Sequence, residues 1–182
     1  IHDAYTAKLA EAIKQRLVLG YGLDANTTQG PLINERAVHK VEGLVTDAVS
    51  KGAEIVIGGA RGDHGSAYQP TLLTNVKDGM EIASEEIFGP VASVQKFHDE
   101  QEVVRRANSC HVGLAGYVFG KDAARLYRVS RRLQVGMVGV NEGLISCAEA
   151  AFGGVKESGI GREGGSQGID EFTDWKYICT QY

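Results

Sequence analysis

Cysteine and proline are scarce in this chain, at 3 residues each among 182, and tryptophan occurs once. The cysteines Cys110, Cys147 and Cys179 are odd in number and lack ligand spacing. That argues against a disulfide framework or a zinc site and for reduced thiols in a cytosol-like compartment. Basic residues are also in deficit: 19 Lys and Arg face 23 Asp and Glu, for a formal net charge of −4. A chain of this balance has no electrostatic footprint for nucleic acid or an anionic membrane. No apolar run approaches the roughly 20 residues that a membrane helix needs. Internal repeats, low-complexity tracts and linkers rich in Pro, Gly and Ser are missing too. What is present is ordinary for a globular protein, with 43% hydrophobic and 23% charged residues. A chain of this length fits one domain that buries about 70% of its unfolded surface.

Tyr5, Leu9, Ile13 and Leu17 recur at helical spacing, which predicts a helix over 3–19 stopped by Gly20 and Gly22. A second helix is expected after Asn34 as N-cap, with Val38, Val41, Val45, Ala48 and Val49 inward and Gly52 closing it. Ala53 to Ile57 reads as a strand, and the stretch from Tyr68 as an extended run that Pro70 places at an edge or a strand start. From Val91 the pattern alternates. Strands are expected at 91–97, 114–119 and 135–141, with helices at 99–108 and 123–133 between them. Strands joined by helices of this length argue for parallel pairing through right-handed crossovers. The predicted fold class is therefore α/β, a mostly parallel sheet with helices on both faces. The last eleven residues, Phe172 to Tyr182, read as a strand with no helix to return it.

The glycine-rich stretch AFGGVKESGIGREGG, Ala151 to Gly165, contains a GxGxxG at Gly159, Gly161 and Gly164. In a dinucleotide-binding unit that spacing follows a strand, opens a helix and has an acidic residue about 20 positions on. Here VKES precedes it and the chain nearly ends before a second strand could close the unit, so a tightly turning loop is the favoured reading. A second candidate is Ser84 to Pro90. Glu86 there could accept hydrogen bonds from ribose hydroxyls and Phe88 could pack on a nicotinamide ring. Chemistry alone favours a simpler role: Ser84 capping a helical turn, Glu85 and Glu86 at its positive end, and Phe88 in the core. Cys147 and the pair Cys110-His111 are the nucleophile candidates of the Cys/His kind, but the side chains of sequence neighbours diverge, so inert thiols are the favoured reading.

Taken together, EEIFGPV (85–91), VGMVGVNEGLIS (135–146) and FGGVKESGIGREG (152–164) resemble the aldehyde dehydrogenase superfamily in order and spacing. The likeness is closest to its succinate-semialdehyde branch and spans essentially the whole chain. It implies that Glu86 holds the nicotinamide ribose with Phe88 beside it, reversing the reading from chemistry alone. It further implies that Ser146 helps bind the substrate's remote carboxylate and that Phe152 walls the aldehyde pocket. A structural role is expected for Asn141. Ala151 stands where the family usually has proline.

The family oxidises an aldehyde through a cysteine thiolate, with hydride passing to NAD or NADP, a glutamate base and an oxyanion-stabilising asparagine. The resemblance places all three reacting residues, the Rossmann domain and the carboxylate-clamping arginines before the segment matching Ile1. No catalytic residue is therefore assigned here, and no metal ligand. The expectation is a partial catalytic domain at 1–171 lacking the nucleophile strand, followed by an oligomerisation strand at 172–182. The implied parent is a cytoplasmic or mitochondrial-matrix homo-oligomer acting on a small aldehyde. The chain alone is expected to be inactive and to bind little cofactor. The alternative is a non-enzymatic folding or oligomerisation module of the same descent.

Overall fold

The computed structural model describes residues 1–182. Where length suggested one domain, the chain divides into two compact units, Ile1–Lys96 and Phe97–Tyr182.

The first unit contains helices α1 (His2–Arg16) and α2 (Glu35–Ser50), strands β1 (Glu54–Ile57), β2 (Thr71–Thr74) and β3 (Val91–Ser93), and a 3₁₀ turn at Glu81–Ala83. The Asn34 side chain accepts from the Ala37 N–H at 3.0 Å, so α2 begins at the expected cap. Its inward face is Val38, Val41, Leu44, Val45 and Ala48, all at 4% exposure or less, while Val49 is exposed, contrary to expectation. The α1 helix stops three residues early. Thr28 Oγ1 donates to the Arg16 carbonyl and accepts from the Val18 N–H, both at 2.8 Å, which draws the chain out of the helix before Gly20. Its buried residues are Thr6, Ala10 and Ile13, and Tyr5 and Leu17 lie outward.

The strands form one sheet in the order β1-β2-β3, with β1 antiparallel and β3 parallel to β2. Successive residues of a strand point to opposite faces. Accordingly, Leu73 joins the α2 core with Tyr68, Val76, Met80 and Ile82, while Leu72 meets Ala10 and Ile13 of α1. This sheet therefore has a helix on each face.

The second unit comprises α3 (Glu100–Ala107), β4 (Val112–Gly113), β5 (Ala115–Val118), α4 (Ala123–Arg132), β6 (Met137–Val140), β7 (Val155–Lys156) and a 3₁₀ turn at Gln167–Phe172. The expected β5-α4-β6 crossover is present, and β5 and β6 pair in parallel from Ala115↔Met137 to Val118↔Val140. β4 and β7 pair antiparallel. The class is α/β, with the sheet in three pieces of mixed sense rather than mostly parallel. β1 and β2 are joined by a loop instead of a helix, and a loop can reverse the chain directly. Asp99 and Asp122 cap α3 and α4 through the Glu102 and Arg125 N–H groups. Apolar burial is thin in this unit. Val104 and Val129 are its only deeply buried large side chains, whereas Tyr117, Phe119, Val140 and Leu144 are exposed. Residues 173–182 form no strand within the chain, since no ladder partner reaches them.

Several carboxyls are held below their ordinary values: Glu42 by Arg61, Asp47 by Lys51 and the Glu81 N–H, Glu100 by Arg128, and Asp122 by the Arg125 N–H. A folded value below the unfolded one adds stability that is present above the unfolded value and lost as pH falls through the folded one. The melting temperature should therefore be level near neutrality and fall as pH drops below the ordinary Glu and Asp values of 4.5 and 3.8. Differential scanning fluorimetry from pH 7 to 3 measures this; an unchanged melting temperature down to pH 3 would refute it.

Candidate functional site

The segment after the first 3₁₀ turn is built on α2. The Asp47 carboxylate accepts from the Glu81 N–H at 2.9 Å, and Lys51 donates to the Gly79 carbonyl at 3.2 Å, so the last turn of α2 seats the turn. Ser84 follows the turn, its hydroxyl donating to the Glu81 carbonyl, and so does not open a helix as the simpler reading required. Ile87 packs on the α2 core. A Cβ at Gly89 would lie 2.5 Å from Val41 Cγ2, so only glycine lets the chain lie this close to α2. Between these anchors Glu86 and Phe88 project outward. Phe88 is 79% exposed with φ +47°, an uncommon conformation for an aromatic residue. Neither residue has a side-chain partner within the chain. A carboxylate and a ring face left free in this way fit a ribose diol and a planar heterocycle.

The second candidate region lies in the second unit. Asn141, at the end of β6, has φ +55°; its amide accepts from the Gly120 N–H at 2.8 Å and donates to the Gly120 carbonyl at 2.9 Å. Both ends of that amide are thereby committed to structure. Beyond it the Glu142 carboxylate accepts from the Gly143 and Leu144 N–H groups, turning the chain towards Ser146. Ser146 is exposed and its hydroxyl is unengaged within the chain.

Phe152 and Glu163 exchange backbone hydrogen bonds at 2.7 and 2.9 Å, closing the glycine-rich stretch into a loop. Arg162 reaches back across it, Nη1 donating to the Gly154 and Gly161 carbonyls at 2.8 and 2.6 Å. Phe152, Ile160, Phe172, Leu114, Arg162 and Glu171 line a cavity of about 350 Å³ there; Ser146 is not among its lining residues. Gly159, Gly161, Gly164 and Gly165 all have positive φ, and only the six-residue 3₁₀ turn follows. The GxGxxG therefore opens no α-helix, and its glycines serve a turning loop. Arg162 was not a candidate from sequence, because its partners are carbonyls that only the folded loop brings within reach.

Cys147 and Cys179 are exposed and Cys110 is partly buried; none of the three thiols hydrogen-bonds to a base. His111, beside Cys110, faces Glu157 at 3.8 Å.

A model of the aldehyde dehydrogenase family matches residues 1–178. The chain belongs to the aldehyde dehydrogenase family. It is 56% identical over 180 residues to mitochondrial succinate-semialdehyde dehydrogenase of Rattus norvegicus, covering 98% of this chain and 34% of that protein. The solved succinate-semialdehyde dehydrogenase of Burkholderia pseudomallei superposes with a TM-score of 0.91 at 48% identity, over 93% of this chain and 35% of that one. Betaine aldehyde dehydrogenase of Staphylococcus aureus, in complex with NAD+, does so with a TM-score of 0.87 at 40% identity, over 93% and 35% respectively. This aldehyde dehydrogenase chain thus spans about a third of the length of the relatives it matches. The resemblance carried by three motifs extends over nearly all its residues, and its α/β class is theirs. No helix is long and apolar enough to cross a membrane.

Proposed function

We propose that this chain forms part of the catalytic domain of an NAD(P)-dependent aldehyde dehydrogenase that oxidises succinate semialdehyde or a similar small ω-carboxy aldehyde to the acid. The supporting observation is 56% identity to a succinate-semialdehyde dehydrogenase across 98% of the chain. In this reading the chain supplies walls and anchors, and the reacting groups come from elsewhere in the enzyme. Glu86 accepts hydrogen bonds from the nicotinamide ribose and Phe88 lies beside the ring. The bound cofactor, NAD or NADP, supplies the hydride acceptor. Phe152 walls the aldehyde pocket, and the free Ser146 hydroxyl donates to the substrate's remote carboxylate. Attack on the carbonyl needs a thiolate with a base, and none of Cys110, Cys147 and Cys179 has one. The 182-residue chain alone is therefore inactive and binds little cofactor. Residues 1–171 belong to the catalytic domain and 172–182 to an oligomerisation strand of a homo-oligomer. Free thiols suit the cytoplasm or the mitochondrial matrix.

Steady-state kinetics test this reading. In a dehydrogenase carrying this segment, Ser146→Ala should raise KM for succinate semialdehyde about tenfold, the worth of one hydrogen bond to a charged group. KM for butanal, which has no carboxylate, should stay within twofold. The chain alone should form no NAD(P)H with either substrate. Equal KM changes for the two aldehydes would remove Ser146 from the site, and NAD(P)H formation by the chain alone would overturn the inactivity.

A further inference from the structure

Both candidate substrate walls, the one carrying Ser146 and the one carrying Phe152, are tied to a single residue that no motif singled out. Asn108 ends α3, and each polar group beyond its own N–H is engaged across the chain. Its Oδ1 accepts from the Gln134 N–H and its Nδ2 donates to the Arg132 carbonyl, both at 2.8 Å. Those two bonds fix the end of α4 and the start of the arm that runs through β6 to Ser146. Its backbone carbonyl accepts from Lys156 Nζ at 2.9 Å, and the same ammonium donates to the Cys110 carbonyl at 2.9 Å. Lys156 lies on β7, four residues beyond Phe152. The ammonium thus sits at the negative end of α3, where a cation is favoured.

Lys156 also has φ +56°, a left-handed conformation that costs a non-glycine residue energy and persists only where surrounding contacts enforce it. Such contacts surround Lys156. Val112 pairs with Lys156 and Gly113 with Val155; the Glu157 N–H donates to the His111 carbonyl at 3.1 Å; and Ser158 Oγ accepts from the Gly113 N–H at 2.8 Å. Three consecutive residues, Lys156 to Ser158, are therefore stitched to 108–113, and the loop that begins at Phe152 is held at this end by that stitching. Glycine would meet the backbone requirement at 156 with less strain. A lysine there is explained by its ammonium.

We infer that Asn108 and Lys156 are positioning residues that set where the Phe152 and Ser146 arms stand relative to each other, and so the width of the aldehyde pocket. This rests on the proposed assignment of those arms to the substrate. Neither residue touches substrate or cofactor.

The decisive variant is Lys156→Gly, which relieves the backbone and removes the ammonium. A merely structural lysine predicts a lower melting temperature with kinetics unchanged. Positioning predicts a melting temperature within about 2 °C of the parent and, on the 182-residue chain, amide exchange at 152–158 accelerated at least tenfold. In a dehydrogenase carrying the segment, KM for succinate semialdehyde should rise at least fivefold, with kcat and KM for NAD(P) within twofold. Lys156→Arg, which still reaches two carbonyls, should restore both exchange and KM, and Asn108→Ala should reproduce the rise in KM. Unchanged exchange in Lys156→Gly overturns the inference, as does unchanged KM where Phe152→Ala raises it. If Phe152→Ala leaves KM unchanged while Lys156→Gly accelerates exchange, the anchor is supported and the assignment of Phe152 to the pocket fails instead.

Discussion

Gly136→Ala should destabilise the second unit by about 3 kcal/mol or more, the range of severe overpacking against groups that cannot move. A Cβ at this position would overlap the Gly153 carbonyl oxygen and lie 2.8 Å from both Gly153 C and Gly154 Cα. All three are backbone atoms, so no side chain can rotate away. The Gly136 N–H also donates to the Gly113 carbonyl at 3.0 Å, which prevents the strand entrance from drifting outward. Relief must come from the Phe152–Gly154 segment, and moving it strains the β4–β7 pairing that follows directly. The effect is steric, since Gly136 is not among the residues with positive φ. Gly143→Ala provides the comparison: nothing lies within 4 Å of a Cβ there, so its stability should change by no more than about 0.5 kcal/mol. Urea melts of the two variants and the parent measure the difference. A Gly136→Ala midpoint equal to the parent's would show that the FGG segment is not pressed against β6.

The second large effect concerns the tail. Phe172, Trp175, Tyr177 and Ile178 are 75–103% exposed, a run of aromatic and β-branched side chains without contacts to bury them. Beyond the 3₁₀ turn, residues 173–182 have no ladder partner within the chain, and unpaired backbone of this kind is a template for strand addition to another chain. The chain should sediment as a dimer or larger species at tens of micromolar, and Trp175→Glu with Tyr177→Glu should convert it to monomer. A strict monomer for the parent chain would count against the oligomerisation strand. Association combined with no turnover is also what the alternative reading, a non-enzymatic module, requires. The two readings part over Ser146 and Phe152: a folding module has no reason to discriminate between a carboxylated and an uncharged aldehyde.

The helix α2 was legible almost residue by residue, because an Asn cap and a valine stripe at helical spacing are local signals that burial then uses directly. The β5-α4-β6 crossover was legible for the same reason. Phe88 was harder. Local chemistry alone put this aromatic in the core, and the family resemblance put it beside a nicotinamide ribose. In the structure Ile87 and Gly89 occupy the inward positions around it and force the ring out. The division into two units was not legible, since no composition change marks Lys96. Nor was the incomplete cover of β5 and β6, where most residues are half-buried and Tyr117 and Val140 are exposed. A parallel pair is ordinarily covered on both faces, and the strand pattern does not say whether the covering residues belong to the same chain.

By itself the sequence determined the types of most elements, the Asn34 cap of α2, the family and the reading of the glycine-rich stretch as a turning loop. Each of these depends on residues a few positions apart, or on motifs whose order survives without coordinates. Tertiary structure decided where elements stop, which aromatic side chains stay free and which residues hold the candidate walls. Those outcomes depend on hydrogen bonds between distant residues: Thr28 taking the Arg16 carbonyl to end α1, and Lys156 reaching Asn108, 48 positions away. A carbonyl looks the same at every position of a sequence, and only folding selects the one that an ammonium or hydroxyl will meet.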